Sequence, residues 1–160
     1  MSVDNSPLDE ANAAFIRCGV MVSVASRDAH HVPSLARALG CRVAPDRRRV
    51  TAFLAASQAE VLLRDLRDTG TIGVVFTQPS THRTIQLKGT DASVGPLEPG
   101  DFALIEANAA ALVTDVAMLG YTEIFARTML AFEPNDLVAV TFTPTAAFAQ
   151  TPGPQAGKRL

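Results

Sequence analysis

The sequence predicts a mainly β fold with flanking helices, built as a small closed or half-closed antiparallel barrel of six strands. Two observations predict it: six extended segments of even length recur along the chain, and the helices between them are short. Closure is expected because an open antiparallel sheet leaves unpaired edges, whereas a barrel removes them. At 160 residues the chain can bury a full core and is expected to form one domain over residues 1–160.

An N-terminal helix is predicted within residues 1–17, beginning near Ser6 with a proline and two acidic residues in its first turn. A β-rich run follows at residues 20–25 and breaks at the polar residues 26–28. That turn leads directly into the next extended segment. The first two strands should therefore form an antiparallel hairpin.

The next part of the chain has the order strand, turn, strand, helix. The strands are predicted at residues 32–43 and 50–55, with a polar turn at residues 44–49 between them. A helix is predicted to open at Ser57, because apolar and charged residues then alternate in a way that gives one buried stripe and one wet face. Gly70 ends this helix.

Ser57 has two competing roles in this arrangement. Its hydroxyl could accept hydrogen bonds from the first free N–H groups of the helix, or the partial positive charge there could attract a bound anion. Arg37 lies in the strand before it, so a phosphate could be held between a guanidinium and a helix start. The alternative is an ordinary N-cap serine and an edge-strand arginine in solvent.

Two more strands are predicted at residues 71–77 and 82–94. The first is almost entirely apolar and β-branched, which suits a strand covered on both faces. Apolar and polar residues alternate in the second strand, so that Ile85 and Leu87 would face the core. The opposite side, where a partner subunit or a ligand could sit, would carry Thr84, Gln86 and Lys88.

The C-terminal part is predicted to contain two helices and the last strand. An alanine-rich helix covers residues 101–119, and a second one covers about residues 122–130. The last strand begins at residue 137 and continues to about residue 149. Residues 151–160 show no packing pattern and are expected to form a flexible tail.

Composition excludes several function classes. A formal net charge of -2 argues against a nucleic-acid binder, which should carry a clear excess of lysine and arginine. Cys18 and Cys41 are too few and too far apart for a metal site, and the adjacent His30 and His31 would point to opposite faces of an extended segment. No metal site is therefore predicted.

Membrane and catalytic signatures are also missing from the sequence. No apolar run approaches the roughly 20 residues that span a bilayer, and the N-terminus lacks the pattern of a signal peptide, so a soluble cytoplasmic protein is expected. The chain has no phosphate-binding loop, dinucleotide fingerprint or nucleophile elbow. No two carboxylates have a spacing that predicts an acid–base pair, so catalytic side chains stay unassigned.

Five segments along the chain form one recognisable pattern: residues 33–39, residues 50–55, the pair Ser57-Gln58, a strand ending in Phe76, and residues 83–89. Together with the order of elements, they resemble a known family, the pyridoxamine 5'-phosphate oxidase-like FMN-binding split barrels. The resemblance covers about residues 12–95, and residues 148–154 are similar to the ends of some small bacterial members.

The resemblance implies a homodimer of six-stranded split barrels that binds two FMN molecules at the subunit interface. It implies a flavoprotein oxidoreductase acting on a small-molecule substrate, in which the cofactor carries the hydride or electron chemistry. The composition agrees with the dimer, because 48% hydrophobic and only 19% charged residues suggest that apolar surface needs a partner.

The resemblance also implies which residues would hold the cofactor. Arg37 matches the phosphate arginine of the second strand, and two polar residues match those at the helix start. Two polar residues on the strand at 83–89 would meet the flavin ring or ribityl chain, and the backbone of residues 52–54 would lie near the isoalloxazine. The full set is Arg37, Ala38, Ala52, Phe53, Leu54, Ser57, Gln58, Thr84 and Gln86.

Two departures from the family pattern limit what is expected. The family usually places a lysine or arginine early in the helix, where this chain has residues 59–62 with Glu60 among them. The family's arginine–histidine pair for pyridoxine phosphate has no counterpart in the C-terminal tail, so true pyridoxamine 5'-phosphate oxidase activity is not expected. The alternative is a split barrel with weakened or lost FMN binding that holds haem or another planar cofactor, with His30 or His31 reaching the iron.

Overall fold

Two antiparallel sheets and four helices make up the computed structural model, which describes residues 7–160. The predicted helix start at Ser6 lies outside the described residues. The helices are α1 (Glu10–Ile16), α2 (Glu60–Thr69), α3 (Asp101–Ala117) and α4 (Glu123–Met129). The strands are β1 (Met21–Arg27), β2 (Pro33–Ala38), β3 (Gly40–Val43), β4 (Val50–Ala55), β5 (Ile72–Thr77), β6 (Thr84–Gly89), β7 (Ser93–Gly95), β8 (Leu137–Phe142) and β9 (Ala146–Ala149).

The strands form a split barrel, as predicted, but with nine strands over the described residues instead of six. One sheet has the order β2-β1-β5-β6-β9 and the other the order β3-β4-β8-β7. The predicted hairpin of β1 and β2 is confirmed. The strand count was wrong because three predicted strands, at residues 32–43, 82–94 and 137–149, each break once and pass from one sheet to the other.

Glycine or proline lies at each of these crossings. Gly40, with a φ of +152°, follows the break between β2 and β3, and Pro144 lies between β8 and β9. Gly89 ends β6, where an added Cβ would lie 2.8 Å from both the Phe142 ring and the Thr143 carbonyl oxygen. These residues let the chain turn a corner that a longer side chain or a continuous ladder would prevent.

The barrel interior is filled by the inward faces of both sheets. Ile85 and Leu87 are buried, as predicted. β5 buries only alternate residues, so the expected burial of both its faces is not found in a single chain. All six residues of β4 are buried, because its second face, with Phe53, packs against Ile105 of α3. Helix α3 therefore covers the outside of the four-stranded sheet.

The helices match their predicted positions except at the start of α2. Ser57 lies in a short 3-10 helix at Ala56–Gln58, and Ala59 is the N-cap of α2, so the predicted N-cap role of Ser57 was wrong. Gly70 caps the C-terminus in a left-handed conformation, as predicted. None of the helices in the described part of the chain is long and apolar enough to cross a membrane.

The C-terminal segment, for which the sequence shows no packing pattern, folds back along β9. Phe148 and Arg159 form an antiparallel bridge, and the Leu160 N–H donates to the Ala147 carbonyl at 2.9 Å. These bonds cover the β9 edge of the five-stranded sheet. Such edge protection has a physical reason, since an uncovered edge strand is open to pairing with other chains.

Candidate functional site

One face of the barrel stays open in residues 7–160, and it is the outward face of the five-stranded sheet. A single row of directly opposed residues crosses all five strands of this face. In strand order the row is Arg37, Ser23, Val75, Gln86 and Phe148. Directly opposed residues project to the same side of a sheet, so these five side chains share one surface.

The middle of this face is flat. Ser23, Ala25 and Gly73 carry small side chains or none, and a Cβ added to Gly73 would meet only the Gln86 amide nitrogen, at 3.8 Å. Arg37 and Gln86 are three strand spacings apart, which is about 14 Å. The face thus has room for a planar group between a cation at one side and an amide at the other.

Arg37 lies at the open end of the row. Its side chain is exposed, and among the described residues it has neither a hydrogen bond nor an ion pair. Three strands away from Arg37, Gln86 Oε1 accepts a 3.3 Å hydrogen bond from Gln150 Nε2, so the Gln86 amide N–H groups stay available as donors. The row therefore offers an uncompensated guanidinium and an oriented amide donor.

The helix-start site at Ser57 is occupied by the chain's own carboxylate. The Ser57 N–H donates to Asp136 Oδ1 at 3.0 Å, and the Ser57 hydroxyl donates to Asp136 Oδ2 at 2.5 Å. Gln58 is exposed beside it. Both donors that a phosphate would need are thus used inside the protein.

A cavity of about 370 Å³ lies beside this serine, and charged residues of both signs line it. They are Glu60, Arg67 and Asp136, two acids and one base. Arg67, in the last turn of α2, is a cation beside this cavity that the sequence did not single out, although its position seven residues after Glu60 places both on one helix face. The charge balance of this cavity does not suit a phosphate dianion.

The remaining predicted cofactor residues are buried. Ala38 and residues 52–54 are buried, and the β4 backbone is paired on both sides, with β3 and with β8. The Thr84 hydroxyl donates to the His82 carbonyl at 2.9 Å and lies 3.1 Å from the Thr77 hydroxyl. Thr84 is on the same side of β6 as Gln86 and opposes Thr77, but its side chain is buried, so of the nine predicted residues only Arg37 and Gln86 present accessible side chains on the open face.

Cys41 does not have the environment of a nucleophile or a metal ligand. Burial raises the pKa of the Cys41 thiol to about 12, and that thiol donates to the Ile16 carbonyl at 3.1 Å. His30 and His31 lie exposed in the turn between β1 and β2. Within residues 7–160 no group of three His, Cys, Asp or Glu side chains could hold a metal ion.

The chain is similar in structure to several solved proteins, although its sequence matches no family model and no curated protein. Among solved structures it is similar to HupZ of Group A Streptococcus, with 15% identity, 93% of this chain and 98% of that chain covered, and a TM-score of 0.56. A provisionally assigned pyridoxamine 5'-phosphate oxidase from Lactobacillus delbrueckii matches with 17% identity, 91% and 97% coverage, and a TM-score of 0.53.

A third similar structure is General Stress Protein 26 from Bacillus anthracis, with 9% identity, 92% of both chains covered, and a TM-score of 0.50. The chain is a pyridoxamine 5'-phosphate oxidase-like split barrel in fold. The predicted resemblance is thereby confirmed at the level of structure. Because these identities are low, the split-barrel fold alone follows from them, and the function has to be argued from the open face.

Proposed function

We propose that this split barrel is a flavoprotein that binds FMN on the outward face of its five-stranded sheet, at the interface of a two-fold homodimer, and oxidises or reduces a small molecule. The observation that carries the proposal is Arg37, an exposed guanidinium with no partner in residues 7–160, on the same row as Gln86. The fold supports it, since one similar structure is assigned as a pyridoxamine 5'-phosphate oxidase.

The chain's own residues would bind and orient the cofactor. Arg37 would hold the phosphate through two parallel N–H donors. Gln86 would donate from its amide to a polar edge of the ring system, held in place by Gln150. Ser23 and Gly73 leave the sheet surface low enough for a planar ring to lie on it. The bound flavin itself supplies hydride or electron transfer, which needs no catalytic side chain.

The first prediction concerns assembly. Leu35 lies on the open face and is 71% exposed, so a second copy covering this face would bury it. Leu35→Glu should shift the protein from dimer to monomer, whereas Val61→Glu, at a 55% exposed site on α2, should leave it dimeric. Light scattering at micromolar concentration measures this. A wild-type species near the monomer mass of 16.9 kDa would contradict the dimer.

The second prediction tests Arg37 directly. Arg37→Ala should weaken FMN binding about ten- to a hundredfold, because a charge-assisted contact worth roughly 1.5–3 kcal/mol is lost. Arg37→Lys should recover only part of the affinity, since the bidentate fork is missing. Arg48→Ala removes an exposed arginine from the turn between β3 and β4 and serves as the control. Equal dissociation constants for wild type and Arg37→Ala would remove Arg37 from the site.

The third prediction tests whether Ser57 stabilises the fold through Asp136 or binds the phosphate. Because Asp136 already accepts from both Ser57 donors, Ser57→Ala should leave FMN affinity within about twofold and lower the free energy of unfolding by about 1 kcal/mol. Titration with FMN and urea denaturation measure the two effects. A tenfold loss of FMN affinity with unchanged stability would instead place Ser57 against the phosphate.

The occupied helix start also favours the alternative, a split barrel that binds haem or another planar cofactor. Asp136 and Glu60 place two acidic side chains at the start of α2, where the FMN-binding pattern expects a cation. The absorption spectrum of the purified protein decides between the two. Flavin bands would support the proposal. A Soret band with no FMN binding by the wild type would contradict it and indicate a haem-binding protein.

A further inference from the structure

A second cavity, of about 390 Å³, lies between the ends of α3 and α4 and the edge of the open sheet face. This volume is in the range of small-molecule sites. Its walls include Met21, Thr77, His82, Leu119, Tyr121 and Phe125. The lining residues come from three separate stretches of the chain, residue 21, residues 77–82 and residues 116–129, so the cavity is a product of the fold.

The chemistry of the walls selects the ligand class. The lining contains no Arg, Lys, Asp or Glu, so a phosphate or carboxylate would lose its hydration there without gaining a cation. The rings of Tyr121 and Phe125 are stacked, with centroids 5.0 Å apart and planes 16° from parallel. Such a flat aromatic wall favours a planar ring over a flexible aliphatic chain.

His82 contributes an ionisable polar group to the residues that line this cavity. Its φ of +59° lies in the left-handed region, which is unfavourable for a residue with a Cβ. The loop is held in that shape from α3: the buried carboxylate of Asp115 accepts from the Ser80 N–H at 2.9 Å and from Gln78 Nε2 at 3.2 Å. The His82 N–H also donates to the Gln78 carbonyl at 2.9 Å. The backbone at His82 is thus held at the cavity wall before any ligand arrives.

The cavity is continuous with the open face. Met21 and Thr77 are directly opposed on β1 and β5, and both project to the same side as Ser23 and Val75 two residues further along. Two residues along a strand correspond to about 7 Å. A molecule in the cavity would therefore lie next to a cofactor bound on that row.

We propose that this cavity binds an uncharged aromatic ring compound, two to three rings in size, whose hydroxyl, carbonyl or amine group bonds to His82. This assignment rests on the proposed function in one respect, that the compound would be the substrate of the flavin reaction. The binding site itself stands on the geometry of the cavity. It predicts selectivity for neutral aromatic molecules over aliphatic acids of similar volume.

The test uses the fluorescent probe N-phenyl-1-naphthylamine with the flavin-free full chain. Saturable binding of one probe per chain is expected, and Leu119→Trp, which fills the cavity from a half-exposed position, should weaken it at least tenfold. Leu104→Trp makes the same substitution at an exposed site on α3 outside the cavity and should bind like the wild type. 2-Naphthol should displace the probe, whereas decanoate should not.

A second variant examines His82. Asparagine tolerates the left-handed conformation, so His82→Asn keeps the loop while removing the imidazole, and probe affinity should fall about fivefold with an unchanged melting temperature. Unchanged probe affinity in His82→Asn would overturn the role of His82. No saturable binding by the wild type, equal binding by Leu119→Trp, or equal displacement by decanoate would overturn the aromatic site.

The remaining outcomes separate this proposal from its alternatives. Probe binding per chain that falls as protein concentration rises would mean that a second copy covers the cavity, which overturns the proposal. FMN titration of the same preparation reports on the flavin site alone. Probe binding without FMN binding would support the aromatic site and overturn the flavin assignment, and FMN binding without probe binding would overturn only the aromatic site.

Discussion

Replacing Asn108 by leucine should lower the free energy of unfolding by about 3 kcal/mol, because buried backbone groups would lose their partners. Asn108 is only 1% exposed, and its amide makes three hydrogen bonds. Nδ2 donates to the carbonyls of Val20 and Leu39 at 3.1 Å, and Oδ1 accepts from the Val20 N–H at 3.2 Å. One side chain on α3 thus ties the start of β1 to the crossing from β2 to β3.

Urea denaturation measures this effect, with the slope of the transition expected to stay constant. Thr114→Ala on the same helix is the matched control. The Thr114 hydroxyl is exposed and donates only to the Ala110 carbonyl of its own helix, so its removal should change stability by no more than about 0.5 kcal/mol. A loss below about 1 kcal/mol for Asn108→Leu would show that water replaces the three bonds.

The crossings between the sheets explain which part of the fold was predictable. All six predicted extended segments contain strands, since apolar alternation reports local burial. The apolar alternation continues through Leu39 and Gly40, although the chain passes there from one sheet to the other. The alternation therefore does not indicate where the chain changes sheets. Asn108, which fixes this corner, is 69 residues from Leu39, and no local signal links them.

Only part of the candidate site could be predicted from the sequence, for the same reason. Arg37 and Gln86 could be found from the sequence, because each lies on the polar phase of an alternating strand. The pairing of Ser57 with Asp136 could not, since 79 residues separate them and only the folded chain brings them together. The aromatic cavity was also hidden, because the apolar residues after α3 resemble ordinary helix-packing positions in the sequence.

The ion cluster at the start of α3 carries the second large stability effect. Asp101 is 1% exposed, its Oδ2 accepts from the Glu98 N–H at 2.8 Å, and its Oδ1 lies 2.8 Å from Arg42 Nε. The Arg42 N–H does not point along that contact, so charge attraction more than a directed hydrogen bond holds the pair. Arg42 also meets Glu98, but that carboxylate is 64% exposed and the contact is screened by water.

Arg42→Met should therefore lower the free energy of unfolding by about 2–4 kcal/mol, because it leaves the buried Asp101 carboxylate without its cation. Glu98→Gln keeps the ion pair between Arg42 and Asp101, so it should lower the free energy of unfolding by at most about 1 kcal/mol. The double variant Arg42→Met with Asp101→Asn should be more stable than Arg42→Met alone, since it removes the unpaired charge as well. Urea denaturation of the wild type, Arg42→Met, Asp101→Asn and the double variant gives the coupling between Arg42 and Asp101. Additive losses in the double variant would show that the two residues stabilise the fold independently.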